Sequence, residues 1–290
     1  MKKTNVLFAD FLLLLVAVIW GGGFAAGKLA LTGLSPAAVL LYRFALAAIV
    51  IGLIFFPKIK KATKAEVLYG CLLGSLLFFG LMIQLAALQY TTAAKQSFIA
   101  SAYVIFTPLL AWLLFREKPA FRELAAAVLV LSGVACISLS RGLRIQSGDF
   151  MTLGFTLIFA LQIIIIGKFT KNLSAVNVTF FQLSAAAVLA AAVAAVLDIP
   201  VKIEGSSCMV GVLYLAVINT SAAMLLQNFA QKHTKESHAA LLLSMESVFG
   251  FIVSVLMFHD PVSGKMLLGC FLILAGVLLS KIRVGEKLSF

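Results

Sequence analysis

Two side chains of opposite charge stand inside strongly apolar runs of this sequence. Glu246 lies in Ser244-Met245-Glu246-Ser247, about nine residues into one run, and Arg43 lies about seven residues into another. At 1.5 Å per helical residue, Glu246 is roughly 12 Å below one membrane surface and Arg43 roughly 10 Å from the other. A charge at the bilayer centre costs roughly 2.5–3.5 kcal/mol on insertion scales. Such a group pairs, faces a cavity, or changes protonation. Glu246 is therefore a candidate for solute contact and for proton coupling, with a structural ion pair as the alternative. Arg43 is a candidate for solute contact or pairing, with outward snorkelling along its stem as the alternative. Depth alone permits the two to pair.

Other polar groups occur in the same apolar surroundings. Gln84 and Gln227 are intramembrane amides, as are Gln162, Gln182, Asn219 and Asn228. Amides either hold helices together, for about 0.6–2 kcal/mol, or line a polar cavity, and both readings stay open. Trp20 and Tyr103 are aromatic and deep, away from the interfacial belts; cavity lining and ordinary packing are the two readings. Lys28 and Lys95 sit near helix ends and read as rim charges. His233 and His238 are five apart and do not share a helix face, and the four cysteines form no CxxC pair. No metal site or cofactor is expected. Gly22 to Lys28 reads G-x-x-x-x-G-K, but Leu29 follows in place of Ser or Thr and no strand precedes it, so it is not a phosphate loop. No HExxH occurs and the histidines are scattered, so the chain is not read as an enzyme.

The elements that must position these residues follow from composition. The chain has 290 residues, 62% hydrophobic and 12% charged, against about 45–50% and 25% in soluble domains. Apolar runs fall at 7–30, 36–56, 66–89, 96–115, 120–140, 150–168, 174–197, 208–231, 238–258 and 264–282. Each is long enough to span, and backbone satisfaction in lipid makes each a helix. The first run, after Lys2-Lys3, is too long for a signal peptide core and reads as an uncleaved first helix. Ser35-Pro36 predicts an N-cap with proline at the first helical position. Thr63 and Glu66 predict a capping box. Pro57 is expected to end the second helix and Pro108 to kink the fourth. Gly70 and Gly74 give a helix-packing spacing.

The net charge of +12 is spread over short loops, without the basic, aromatic-interleaved stripe of a nucleic-acid binder. Sixteen loop Lys and Arg fall on one side of the ten runs and five on the other. That bias puts both termini in the cytoplasm.

The halves resemble each other. A shift of 139 superposes Asp10-Phe11 on Asp149-Phe150 and Leu34-Ser35 on Leu173-Ser174. A shift of 143 superposes Gln84 on Gln227, Ser101 on Ser244 and Gly133-Val134 on Gly276-Val277. The copies are 1–141 and 148–284. Five spans is an odd number, so the second copy enters the membrane upside down. The expected fold is an all-α integral membrane protein of ten transmembrane helices in two inverted five-helix repeats, a transporter architecture.

Trp20-Gly21 with Phe24 and Lys28, and Arg43 after Ser35-Pro36, begin a recognisable order of motifs. Leu88-Gln89-Tyr90-Thr91-Thr92 follows, then Tyr103 to Pro108 leading to Phe115-Arg116-Glu117-Lys118-Pro119, then Met245-Glu246-Ser247 and His259-Asp260-Pro261. In this order the chain resembles the drug/metabolite transporter superfamily, EamA type, over essentially its whole length. The resemblance implies secondary transport of amino acids, other metabolites or drugs, usually export, by alternating access in the cell membrane. It also implies a cavity lined by the first, third, fourth, sixth, eighth and ninth helices, which selects Trp20, Gln84, Tyr103, Gln227 and Glu246. A lipid-linked sugar flippase and a metabolite importer are alternatives on the same fold. The sequence departs from the family pattern at Ser247, where proline is frequent, and at Asp260, where glutamate is. Expected partners are a small solute and membrane lipid, without nucleic acid; a homodimer stays open.

Overall fold

A computed structural model describes residues 3–91, 93–138, 147–258 and 262–281. Thr92, Arg141, Arg144, His259-Asp260-Pro261, Arg283, Lys287 and the side chain of Lys95 lie outside the described residues. Every element among the described residues is helical. In order these are α1 (Lys3–Ala30), α2 (Pro36–Ile59), α3 (Lys64–Leu88), α4 (Ala93–Ala100), α5 (Tyr103–Phe115), α6 (Phe121–Ser138), α7 (Ser147–Phe169), α8 (Ala175–Val196) and α9 (Ser206–Leu213). A π-helical segment (Tyr214–Ala222) leads into α10 (Ala223–Ala230) and a short turn (Gln231–His233), followed by α11 (Glu236–Leu243), α12 (Glu246–Phe258) and α13 (Gly264–Lys281). Among the described residues, seven helices are long and apolar enough to cross a membrane, and shorter apolar helices accompany them.

Local chemistry sets several boundaries. Ser35 caps α2 through its hydroxyl, with Pro36 at the first position. Thr63 and Glu66 form the reciprocal capping box of α3. The prolines act differently from expectation. Pro57 does not end α2, which runs on to Ile59 past a non-helical Phe55 (φ −116°, ψ 19°). Proline removes the bond its own N–H would make to a carbonyl one turn back, so the distortion falls upstream of the ring. Pro108 lies within the continuous α5, and the break in that run comes earlier, at 101–102.

Glu66 also does more than cap its own helix. One carboxylate oxygen accepts from Ser174 N (2.7 Å), at the cap of α8. The other accepts from Thr63 N (2.8 Å) and Asn177 Nδ2 (2.9 Å). One buried anion thus satisfies the positive ends of two helices. Glu66→Ala should cost about 2–4 kcal/mol, since bonds to a charged acceptor contribute about 1.5–3 each and are not additive. A thermal midpoint in detergent unchanged from the parent would contradict this.

The two sequence copies pack as partners. Lys58, at the end of α2, borders the same crevice as Ser174 and Ala175 at the start of α8. Near the start of α2, Tyr42 donates to the carbonyl of Val201, beyond the end of α8 (2.7 Å). Helices α2 and α8 therefore run antiparallel. So do α1 and α7, because Asp10 early in α1 and Gly167 late in α7 both meet the start of α11, at His238 and Glu236. Helices α6 and α13 touch reciprocally: Gly133 lies against Gly269, and Gly276 against Ala126. The 143 shift carries 126 to 269 and 133 to 276 and so turns one contact into the other, the pattern of a self-complementary interface. At the loop after α5, Glu117 pairs with Lys168 (2.6 Å); that hydrogen bond holds its carboxyl below the usual range.

Candidate functional site

The site is built where helices are interrupted. The runs containing Tyr103 and Glu246 are each broken, at 101–102 and at 244–245. The breaks meet: Ser101 Oγ donates to the carbonyl of Ser244 (3.3 Å). Glu246 then opens α12, 5% exposed, where a helix N-terminus favours a carboxylate. Among the described residues it makes no ion pair.

The π-helical segment holds Arg43. Its wider turn takes carbonyls out of the ordinary ladder, a feature frequent at functional sites. Arg43 Nε donates to Thr220 Oγ1 (2.5 Å), and Nη2 donates to Asn219 Oδ1 (2.7 Å). The freed carbonyl of Asn219 accepts from Trp20 Nε1 (3.1 Å). Asn219 Nδ2 and Tyr214 Oη both donate to the carbonyl of Ile19 (3.0 and 2.8 Å). Arg43 is 5% exposed, so it is tied inward rather than snorkelling, and it makes no ion pair with Glu246 among the described residues.

Between these groups is a cavity of about 50 Å³ whose walls include Trp20, Arg43, Gln84, Gln96, Asn219 and Glu246. An aromatic wall completes it. Trp20 meets Phe159 edge-on at 5.4 Å, and Phe155 stacks on Phe159 at 5.4 Å. Phe159 is the residue that the 139 shift places on Trp20. The arrangement offers a cation, a carboxylate, amides and an apolar face around one small space. This suits recognition of a compact polar solute.

Two of the six candidates do not line the cavity. Tyr103 is fully buried, edge-on to Phe159 at 5.0 Å. Its hydroxyl lies beside the carboxylate of Glu246. Gln227 is fully buried with both amide atoms unpartnered, an arrangement costing about 1–3 kcal/mol per group. It differs from its counterpart Gln84 because the wall of α10 beside the cavity is formed by Met224 instead. Sequence reasoning missed Gln96 and Thr220. Gln96 Nε2 donates to the carbonyl of Gln84 (2.6 Å), and its only sequence signal is an amide in an apolar run. Thr220 had no signal, since its role depends on the π turn. Among the described residues no cluster of His, Cys, Asp or Glu is placed to hold a metal.

Apolar helices around a small buried polar cavity define a multi-pass membrane protein. The sequence profile of the EamA-like transporter family matches the chain twice, over residues 7–139 and 146–282. The chain belongs to this family, one of membrane transporters. An uncharacterized transporter of Archaeoglobus fulgidus is 32% identical over 278 residues, covering 96% of this chain and 87% of that one. The uncharacterized transporter YcxC of Bacillus subtilis is 23% identical, covering 94% and 93%. A crystal structure of another protein, 18% identical, matches the fold with a TM-score of 0.77 over 97% of both chains.

Proposed function

We propose that this transporter carries a small metabolite, an amino acid or similar solute, out of the cell by alternating access driven by a gradient. The observation that carries the reading is the cavity itself, with Arg43 from the first copy and Glu246 from the second facing one space. Ten spans in two inverted repeats, 1–141 and 148–284, are supported by the antiparallel α2–α8 and α1–α7 pairs and by the reciprocal α6–α13 contact. Both termini lie in the cytoplasm on the loop-charge bias, and the membrane is the cell membrane. A space of about 50 Å³ holds only a few waters. A solute therefore enters when the copies rock apart, and inverted copies exchanging conformations open the site to alternate faces.

Glu246 is the proton-coupling residue in this reading. The test is purified protein in liposomes under an imposed pH gradient, screened with amino acids. Glu246→Gln keeps shape and removes the titrating group, so gradient-driven flux should fall about tenfold or more while the fold is kept. Undiminished flux in Glu246→Gln removes it from the mechanism.

A further inference from the structure

Three glutamines lie on the side of the cavity where α1 and α11 begin. Gln162, Gln227 and Gln231 are buried, and they are the side chains among the described residues whose amide oxygen and nitrogen both lack a partner. Their positions are ordered. Gln227 and Gln231 follow the cavity residue Met224 at three and seven residues, on one face of α10 and the turn after it. Gln162 follows the cavity residue Phe159 at three residues along α7. All three point the route the same way, because four elements leave the cavity in that direction and converge. Helix α1 runs back from Trp20 to Asp10, α7 runs on from Phe159 to Gly167, α10 runs from Met224 to Gln231, and the ninth run goes back from Glu246 to His238. At their ends His238 Nε2 meets Asp10 Oδ1 at 3.0 Å, and Gly167 packs on Glu236. From Glu246 to His238 is eight residues, about 12 Å of helix. Along these elements, between the cavity residues and that pair, Leu13, Ile163 and Leu242 are fully buried.

The other half of the protein differs. The cavity already reaches Phe24, Leu85 and Leu88, toward the far ends of α1 and α3. The cavity therefore extends away from the three glutamines, which lie on its closed side.

We infer that Gln162, Gln227 and Gln231 line the second half of the solute route, shut in this structure, and that the Asp10–His238 pair is its closure. The inference rests on the transport reading above. A buried amide without partners is stable only if something else supplies them, and an opened, hydrated route does. An amide carries both donors and an acceptor and no charge, so it serves a polar solute without trapping a charged one. The break at 244–245 separates the closure on α11 from Glu246 on α12, so α11 can swing while Glu246 stays with the cavity.

The test uses the full chain with its four cysteines replaced and Gln231→Cys introduced, probed with a membrane-impermeant maleimide from each face. Labelling is expected from the His238 face only. Adding His238→Gln should raise its initial rate about tenfold by shifting the open population. No labelling from that face in either background, or a rate unmoved by His238→Gln, overturns the inference. Gln227→Leu separates route from packing. A route predicts a thermal midpoint at or above the parent's together with slower labelling of Gln231→Cys; a lowered midpoint with labelling intact makes Gln227 a packing residue and overturns its place on the route. The labelling needs no known solute, so failure of flux in liposomes would sink the transport proposal while leaving this result readable.

Discussion

Arg43→Leu should abolish carriage of whichever solute the liposome screen identifies, lowering flux about 100-fold, a loss of about 2.7 kcal/mol of stabilisation in the transport cycle. The size follows from how the cation is held. Its two bonds go to neutral oxygens, Thr220 Oγ1 and Asn219 Oδ1, and no carboxylate cancels its charge among the described residues. A buried cation with only dipoles around it is left for an anionic group of the solute. The substitution should not unfold the chain, because losing the bonds is offset by relief of an unpaired buried charge. Asn219 also keeps its bond to the Ile19 carbonyl. Arg43→Lys retains the charge but not the fixed two-donor fork, and about a tenfold loss is expected. Flux in liposomes and a thermal midpoint in detergent check both. Parent-like flux in Arg43→Leu would remove the residue from solute recognition.

The helices were legible because lipid demands long apolar runs, and composition alone supplied that. Caps at Ser35 and Thr63–Glu66 were legible because their chemistry is confined to four residues. What was hidden depends on partners far away in the chain. The bonds of Arg43 cross about 177 residues, and no local pattern announces a π turn at 214–222. Glu66 looked like a capping-box member, but its bond to Ser174 spans 108 residues and ties the two copies together.

Repeat matching reached further than single motifs, and it also misled. The match of Ser101 to Ser244 marks two helix breaks that touch in space. Gln84 and Gln227 occupy matching positions, yet one lines the cavity and the other is sealed beside it. A two-fold relation of backbones does not make the cavity symmetric when it extends toward Leu85 and Leu88 and not toward Gln227. The prolines misled for a local reason. Pro108 is compatible with a helix whose break lies upstream, where small residues at 100–102 let the chain turn.

A tight helix approach between the copies gives the largest expected effect on folding. A Cβ on Gly74 of α3 would stand 2.3 Å from the carbonyl oxygen of Gln182 and 2.8 Å from Ala185 Cβ, both on α8. On Gly70, one turn earlier, it would stand 2.5 Å from Phe181 Cβ. These obstacles are backbone and Cβ atoms, which no rotamer change moves, so α3 and α8 must separate. Overpacking of a tight interface costs about 1–3 kcal/mol and occasionally more. Gly74→Ala belongs at or above the upper end, about 3 kcal/mol, and Gly74→Leu should yield no folded protein. The strain would also reach the site's surroundings, because Gln182 Oε1 accepts from Asn228 Nδ2 (2.9 Å). Gly154 in α7 is the control, since a Cβ there meets nothing within 4 Å. Gly154→Ala should be neutral or gain about 0.5–1 kcal/mol from helix propensity. Thermal midpoints of Gly74→Ala and Gly154→Ala, measured side by side in one detergent, decide the matter; equal midpoints would mean that α3 and α8 do not approach as closely as their two glycines imply.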